Sequence, residues 1–94
     1  MYKTSKSQKV ATILKSIGHP IRVRILLILS DNKSMTVSQL SKDLLIDQPV
    51  MSLHLAILRK LNIISVQKQG KESFYTIIDN SVKQVVSIIF HTRN

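Results

Sequence analysis

Apolar positions along this chain follow a helical period, then an alternating one, then a helical one again. Val10, Ala11, Ile13, Leu14 and Ile17 recur at helical spacing and predict a first helix from Ser7 to Ile17, with Gly18 as a left-handed residue just past its end. Pro20 suits the first position of a second helix running to Leu29, which is apolar on nearly every side after Arg24 and so reads as central and buried. Ser30-Asp31-Asn32-Lys33-Ser34 is turn chemistry. Thr36-Val37-Ser38-Gln39 has the hydroxyl-and-amide spacing of a capping box and opens a third helix, with Leu40, Leu44 and Leu45 as its buried stripe. Ile46-Asp47 makes a turn. Asp47 as N-cap and Pro49 just inside the start then set a fourth helix from Gln48 to about Leu61, with Met51, Leu55, Leu58 and Leu61 inward.

Beyond Leu61 the period drops to two. Ile64, Val66 and Lys68 alternate with Ser65, Gln67 and Gln69, and Phe74, Thr76 and Ile78 with Ser73, Tyr75 and Ile77; Gln69-Gly70-Lys71-Glu72 between them is a hairpin turn. Asp79-Asn80-Ser81 caps a last helix through Phe90. Its Val82, Val85, Val86, Ile88, Ile89 and Phe90 cover more than one stripe and require a partner surface.

Two short helices joined by a tight turn, followed by a hairpin, predict a winged helix-turn-helix. The fold class is mainly α with a small β-hairpin, five helices plus a two-stranded wing, dimeric, with residues 1–94 as one domain. The fourth helix would offer Gln48, Ser52 and His54 outward, where such a helix enters the DNA major groove.

Composition supports this reading. A monomer of 94 residues buries only about 60–65 % of its unfolded surface, yet 44 % of the chain is hydrophobic, which favours a dimer. Fourteen Lys and Arg against five Asp and Glu give a net charge of +9, suited to a polyanion. The absence of cysteine removes disulfides, thiolate metal sites and thiol redox sensing. No apolar run is long enough to span a bilayer, and the basic start Met1-Tyr2-Lys3-Thr4-Ser5-Lys6 has no h-region behind it, so a cytoplasmic protein is expected. An enzyme is disfavoured, because three histidines and five carboxylates place no nucleophile, base and orienting acid together, and no glycine loop cradles phosphate. A membrane-surface helix fails too, since the apolar helices lack a cationic face.

Leu14-Lys15-Ser16-Ile17-Gly18-His19-Pro20-Ile21-Arg22-Val23-Arg24-Ile25-Leu26 resembles the "LkaLgHPtRlrIL" opening of the ArsR/SmtB winged-helix repressors. Gln48 to Leu58 is similar to their "QpavSrHLavL" recognition helix, and Lys68-Gln69-Gly70-Lys71 with Phe74-Tyr75-Thr76-Ile77 to their "reGr…yY.l" wing. The resemblance runs from about residue 8 to residue 90 and implies a homodimer on an imperfect inverted repeat in a promoter. It implies an interface of Val10, Ile13, Leu14 and Ile17 from the first helix with Val82, Val85, Val86, Ile89 and Phe90 from the last. The metal-sensing members carry Cys-x-Cys on the third helix; Thr36 and Ser38 stand there in this chain. Other members use the last helix, where Asp79 matches the first ligand but Ser81 replaces a histidine and the sequence reaches Asn94 without the final ligand. Asp79 and His91, at opposite ends of that helix, could meet across an antiparallel dimer, but two ligands are too few for zinc. No metal and no cofactor is therefore expected, and the effector stays open between an organic ligand in a dimer cleft, a partner protein and autoregulation by concentration.

Candidate DNA contacts fall into two kinds. Gln48 can bind adenine in a bidentate manner, or serve only its own helix end; Ser52 can bond bases or phosphate, or be solvated; His54 can do the same, or pack against the wing. Lys68 and Lys71 at the wing tip would reach phosphates, and Arg59 beside Lys60 could do so or simply oppose the helix dipole. The resemblance adds Pro49, Leu53, Ser38 and Gln39, with Leu53 standing where many relatives have a polar residue. His19 is expected to cap or pack at the start of the second helix. The competing function is a winged-helix protein-interaction module whose apolar last helix grips another protein.

Overall fold

Pro20 and the apolar run behind it set the axis of the fold. The computed structural model describes residues 4–93. It contains α1 (Thr4–Ile17), α2 (Pro20–Asp31), β1 (Met35–Thr36), α3 (Val37–Leu44), α4 (Gln48–Lys60), β2 (Ile64–Gln69), β3 (Glu72–Ile77) and α5 (Asn80–Thr92). Ile25 and Leu26 of α2, Leu40 of α3, Met51, Leu55 and Leu58 of α4, and Ile63 and Ile64 beside the sheet are almost wholly enclosed and form the centre of the core. Helix α2 is thus the central helix the sequence predicts.

The helix starts follow the side-chain chemistry. His19 is the N-cap of α2, its Nδ1 accepting from the Ile21 N–H at 3.1 Å, with Pro20 directly inside. Thr36 and Gln39 form the capping box: Thr36 Oγ1 accepts from Gln39 N–H at 3.1 Å and Gln39 Oε1 accepts from Thr36 N–H at 2.9 Å. Asp79 Oδ1 accepts from Val82 N–H at 3.1 Å and from the Ser81 hydroxyl at 2.6 Å. Asp47 differs: it occupies the N-cap position of α4 but makes no side-chain capping bond.

The sheet has three strands, not two, in the order β1-β3-β2, all antiparallel. Met35 pairs with Tyr75 and Thr36 with Phe74. Two residues are too few to show a period of two, so β1 is silent in the sequence. In the wing Ile64 faces Ile77 and Lys68 faces Ser73, while the Ser65 and Thr76 hydroxyls are bonded at 3.2 Å. Gly70 takes φ +64° in the two-residue turn, the left-handed conformation a tight hairpin favours in glycine.

Left-handed backbone occurs elsewhere than expected. Gly18 does not adopt it; a Cβ there would come within 3.2 Å of the Leu14 carbonyl oxygen, so close approach is what its missing side chain permits. Leu45 (φ 57°) and Asn62 (φ 59°) adopt it instead, each just past a helix. After α4, Ile63 N–H donates to Leu58 O and Asn62 N–H to Arg59 O; after α3, Ile46 and Leu45 N–H both reach Ser41 O. The left-handed turn throws the Leu45 side chain outward. It is 91 % exposed and does not join Leu40 and half-buried Leu44.

Helices α1 and α5 are the least covered. In the 14 residues of α1 only Ile17 is buried, and α5 buries only Val82 and Val86. Ile17, Val82 and Val86, which the sequence reading gives to a dimer interface, therefore pack chiefly into the protomer's own core. Val10, Leu14, Val85, Ile88, Ile89 and Phe90 stay exposed.

Candidate nucleic-acid interface

The α3-turn-α4 unit is fixed at both of its ends. Arg24 Nη2 of α2 donates to Leu44 O at 2.8 Å and satisfies a terminal carbonyl of α3. Gln48 Nε2 donates to Ser38 Oγ at 3.0 Å and ties the first turn of α4 to the first turn of α3. This bond leaves the Gln48 carbonyl and the Ser38 O–H free for an outside partner.

Helix geometry divides α4 into three faces. At about 100° per residue, Met51, Leu55 and Leu58 form the inner stripe. Pro49, Leu53, Ala56 and Lys60 lie roughly opposite, about 140–200° round from Met51, and all are exposed. Gln48, Ser52 and Arg59 share one exposed flank. His54 lies on the other. Residues two apart on a helix point in nearly opposed directions, so Ser52 and His54 cannot share an outward face.

His54 turns toward α2, not toward the wing and not outward. Arg22 Nε donates to His54 Nδ1 at 3.1 Å, and Arg22 Nη1 donates to Ser16 O at 3.1 Å. The His19 ring lies against His54 with centroids 4.6 Å apart. Burial first, then the neighbouring His19 and Arg22 charges, hold the His54 imidazole below its ordinary value of 6.5. Its acceptance of a hydrogen bond requires an unprotonated Nδ1. Arg22 thus joins α4 to the corner between α1 and α2. The sequence reading missed Arg22, although a charged residue in so apolar a helix already signals a partner.

The remaining candidates sit at the rim. Arg59, Lys60, Lys68 and Lys71 are exposed at the end of α4 and around the wing tip, as are Ser38 and Gln39 on α3, although one Gln39 oxygen is committed to the capping box. Among the described residues no three His, Cys, Asp or Glu side chains gather as a metal ion would need. What the arrangement offers is a projecting helix with a polar flank and a bare outer line, bordered by cations.

Known proteins share this architecture. A family profile described as "Bacterial regulatory protein, arsR family" matches residues 19–66, from the cap of α2 into the first wing strand. An uncharacterized HTH-type transcriptional regulator of Methanocaldococcus jannaschii is 39 % identical over 89 % of this chain and 94 % of its own length. The structure of HlyU from Vibrio cholerae superposes with a TM-score of 0.87 at 30 % identity, covering 96 % of this chain and 97 % of that one. The structure of the transcriptional repressor PagR of Bacillus anthracis gives 0.83 at 26 % identity over 93 % and 99 %. The chain belongs to the arsR family of helix-turn-helix transcriptional regulators.

Proposed function

We propose that this regulator is a homodimeric repressor that occupies an inverted-repeat operator, setting α4 of each protomer into successive major grooves and the wing of each against the flanking backbone. The observation that carries this reading is α4 itself: its inner stripe is enclosed and its first turn pinned by Gln48 and Ser38, while the whole opposite side is open. Gln48 and Ser52 would contact base edges, with Pro49 and Leu53 beside them and Ser38 and Gln39 behind. Arg59, Lys68 and Lys71 would neutralise phosphates and supply affinity without reading sequence. His54 acts indirectly, by holding α4 against Arg22.

Dimerisation rests on α1. A 14-residue helix that buries one side chain has little to hold it within the protomer, and isolated helices of that length are marginal in water. Beside it a groove of about 790 Å³ is walled by Leu14, Ile17, Val85, Val86, Ile89 and Phe90. A second copy presenting the same two helices would fill it. No helix among the described residues is long and apolar enough to cross a membrane, and the proposed action on DNA supports a cytoplasmic protein.

Binding to a selected operator duplex, followed over a range of salt, tests the reading. Each neutralised phosphate contributes about −0.9 to the slope of log affinity against log salt. Wild type should show a steep slope, and Lys68→Ala, present twice in a dimer, should flatten it by about 1.8. A flat response would overturn the assignment. The exposed apolar α5 also suits a protein-interaction module. Light scattering separates the two, since a protein that is monomeric until a different protein is added would favour the module.

A further inference from the structure

The outermost line of α4 carries almost no hydrogen-bonding chemistry. Pro49, Leu53 and Ala56 follow one another along it, and Lys60 supplies a charge only at the far end. Leu53 is 67 % exposed, surpassed among the large apolar side chains of the described residues only by Leu45 in its turn. It lines none of the grooves beside α1 and α5. A leucine so placed on a helix of a +9 chain, with hydrogen-bonding Gln48 and Ser52 on the adjacent flank, has a chemically definite counterpart in duplex DNA. The one methyl group that a base presents in the major groove is the C5-methyl of thymine; the other groups that distinguish the base pairs there are mainly hydrogen-bond donors and acceptors.

We infer that Leu53 determines specificity by burying a thymine methyl group, so that the operator carries a thymine at a fixed position in each half-site. This rests on the DNA-binding reading above and deepens it. Placed over cytosine or guanine, the same leucine would strip water from polar edge atoms without replacing their hydrogen bonds, which adds discrimination against those bases. Gln48 and Ser52, on the flank, would read neighbouring bases by hydrogen bonding.

The test selects duplexes from a random library with the full chain. Each thymine of the enriched site is then replaced in turn by deoxyuridine, which lacks only the methyl group. Binding of wild type and Leu53→Ala is measured on both sets. The expected result is one thymine per half-site at which demethylation weakens wild-type binding by about fourfold, the effect of one buried methyl or methylene group, and both half-sites together by about sixteenfold. Leu53→Ala should bind more weakly and be indifferent to the replacement. Leu53 is exposed and alanine is a good helix former, so circular dichroism should show the fold unchanged. Enrichment of a defined duplex whose binding ignores every deoxyuridine, or equal sensitivity in Leu53→Ala, overturns the inference while leaving DNA binding intact. A Leu53→Ala protein that changes oligomeric state yet reads DNA as before would give the leucine to a protein contact. If no duplex is enriched, the DNA-binding reading falls, and this inference with it.

Discussion

Protonation of a single nitrogen, Nδ1 of His54, removes the acceptor to which Arg22 donates and places a cation beside the guanidinium. Because the folded His54 titrates below 6.5, the unfolded chain binds more protons in the interval between the two values. Its contribution is therefore complete above about pH 6.5 and is lost as pH falls through the folded value. Asp79 acts in a separate window. The Ser81 hydroxyl, followed by the Val82 N–H, holds its carboxyl below 3.8, so its stabilisation of α5 persists above that value and disappears only in stronger acid. Denaturant midpoints taken from about pH 8 down to about pH 5 should fall for wild type, and fall less for His54→Gln, whose amide oxygen can accept from Arg22 without titrating. Parallel curves for the two proteins would show that His54 does not govern this interval. The same substitution should leave the acid limb set by Asp79 where it was.

At the scale of elements, the ends of α3 and α4 solve one geometric problem with different residues. Both continue through a left-handed residue, Leu45 in the first case and Asn62 in the second. Asparagine tolerates that conformation, whereas a leucine in it costs of the order of 1 kcal/mol. Since the Leu45 side chain is almost fully exposed, nothing is lost by replacing it. Leu45→Asn should stabilise the fold by about 0.5–1 kcal/mol, read as a higher denaturant midpoint with an unchanged m-value. Destabilisation would mean that Leu45 has a partner outside the protomer. The misreading of Leu45 shows where sequence legibility stops. The starts of α2, α3 and α5 are written in His19-Pro20, Thr36 with Gln39, and Asp79, because each cap is a local side-chain-to-backbone bond. The end of α3 is set by a backbone conformation that leucine does not announce, and β1 exists only because distant Phe74 and Tyr75 offer it a ladder. The site divided in the same way. The exposed positions of the candidates Gln48, Ser52, Lys68 and Lys71 follow from periodicity and turn chemistry. The direction of His54 needed Arg22, 32 residues away in the chain.

For the whole molecule, periodicity marks α1 and α5 as apolar but cannot divide their residues between the protomer's core and a second copy. Within the protomer Ile17, Val82 and Val86 turn inward, while Leu14, Val85, Ile89 and Phe90 stay open. The open set and the net charge then pull in opposite directions. Bringing two chains of +9 together is opposed by their mutual repulsion, and Lys6, Lys9, Lys15 and Lys83 lie on the very helices that would meet. Salt screens that repulsion, with a Debye length of about 10 Å at 0.1 M, and does not weaken apolar burial. Between about 0.05 and 0.3 M salt, self-association should tighten while DNA affinity falls, because binding to DNA is driven by counterion release, which added salt makes less favourable. Sedimentation equilibrium and operator titration on the same samples would give the two trends directly. Leu14→Glu, which puts a carboxylate on the open face, should leave the protein monomeric across the range and abolish any rise of melting temperature with protein concentration. Dimerisation that weakens with salt, or a Leu14→Glu protein still dimeric at low concentration, would move the interface away from α1 and α5.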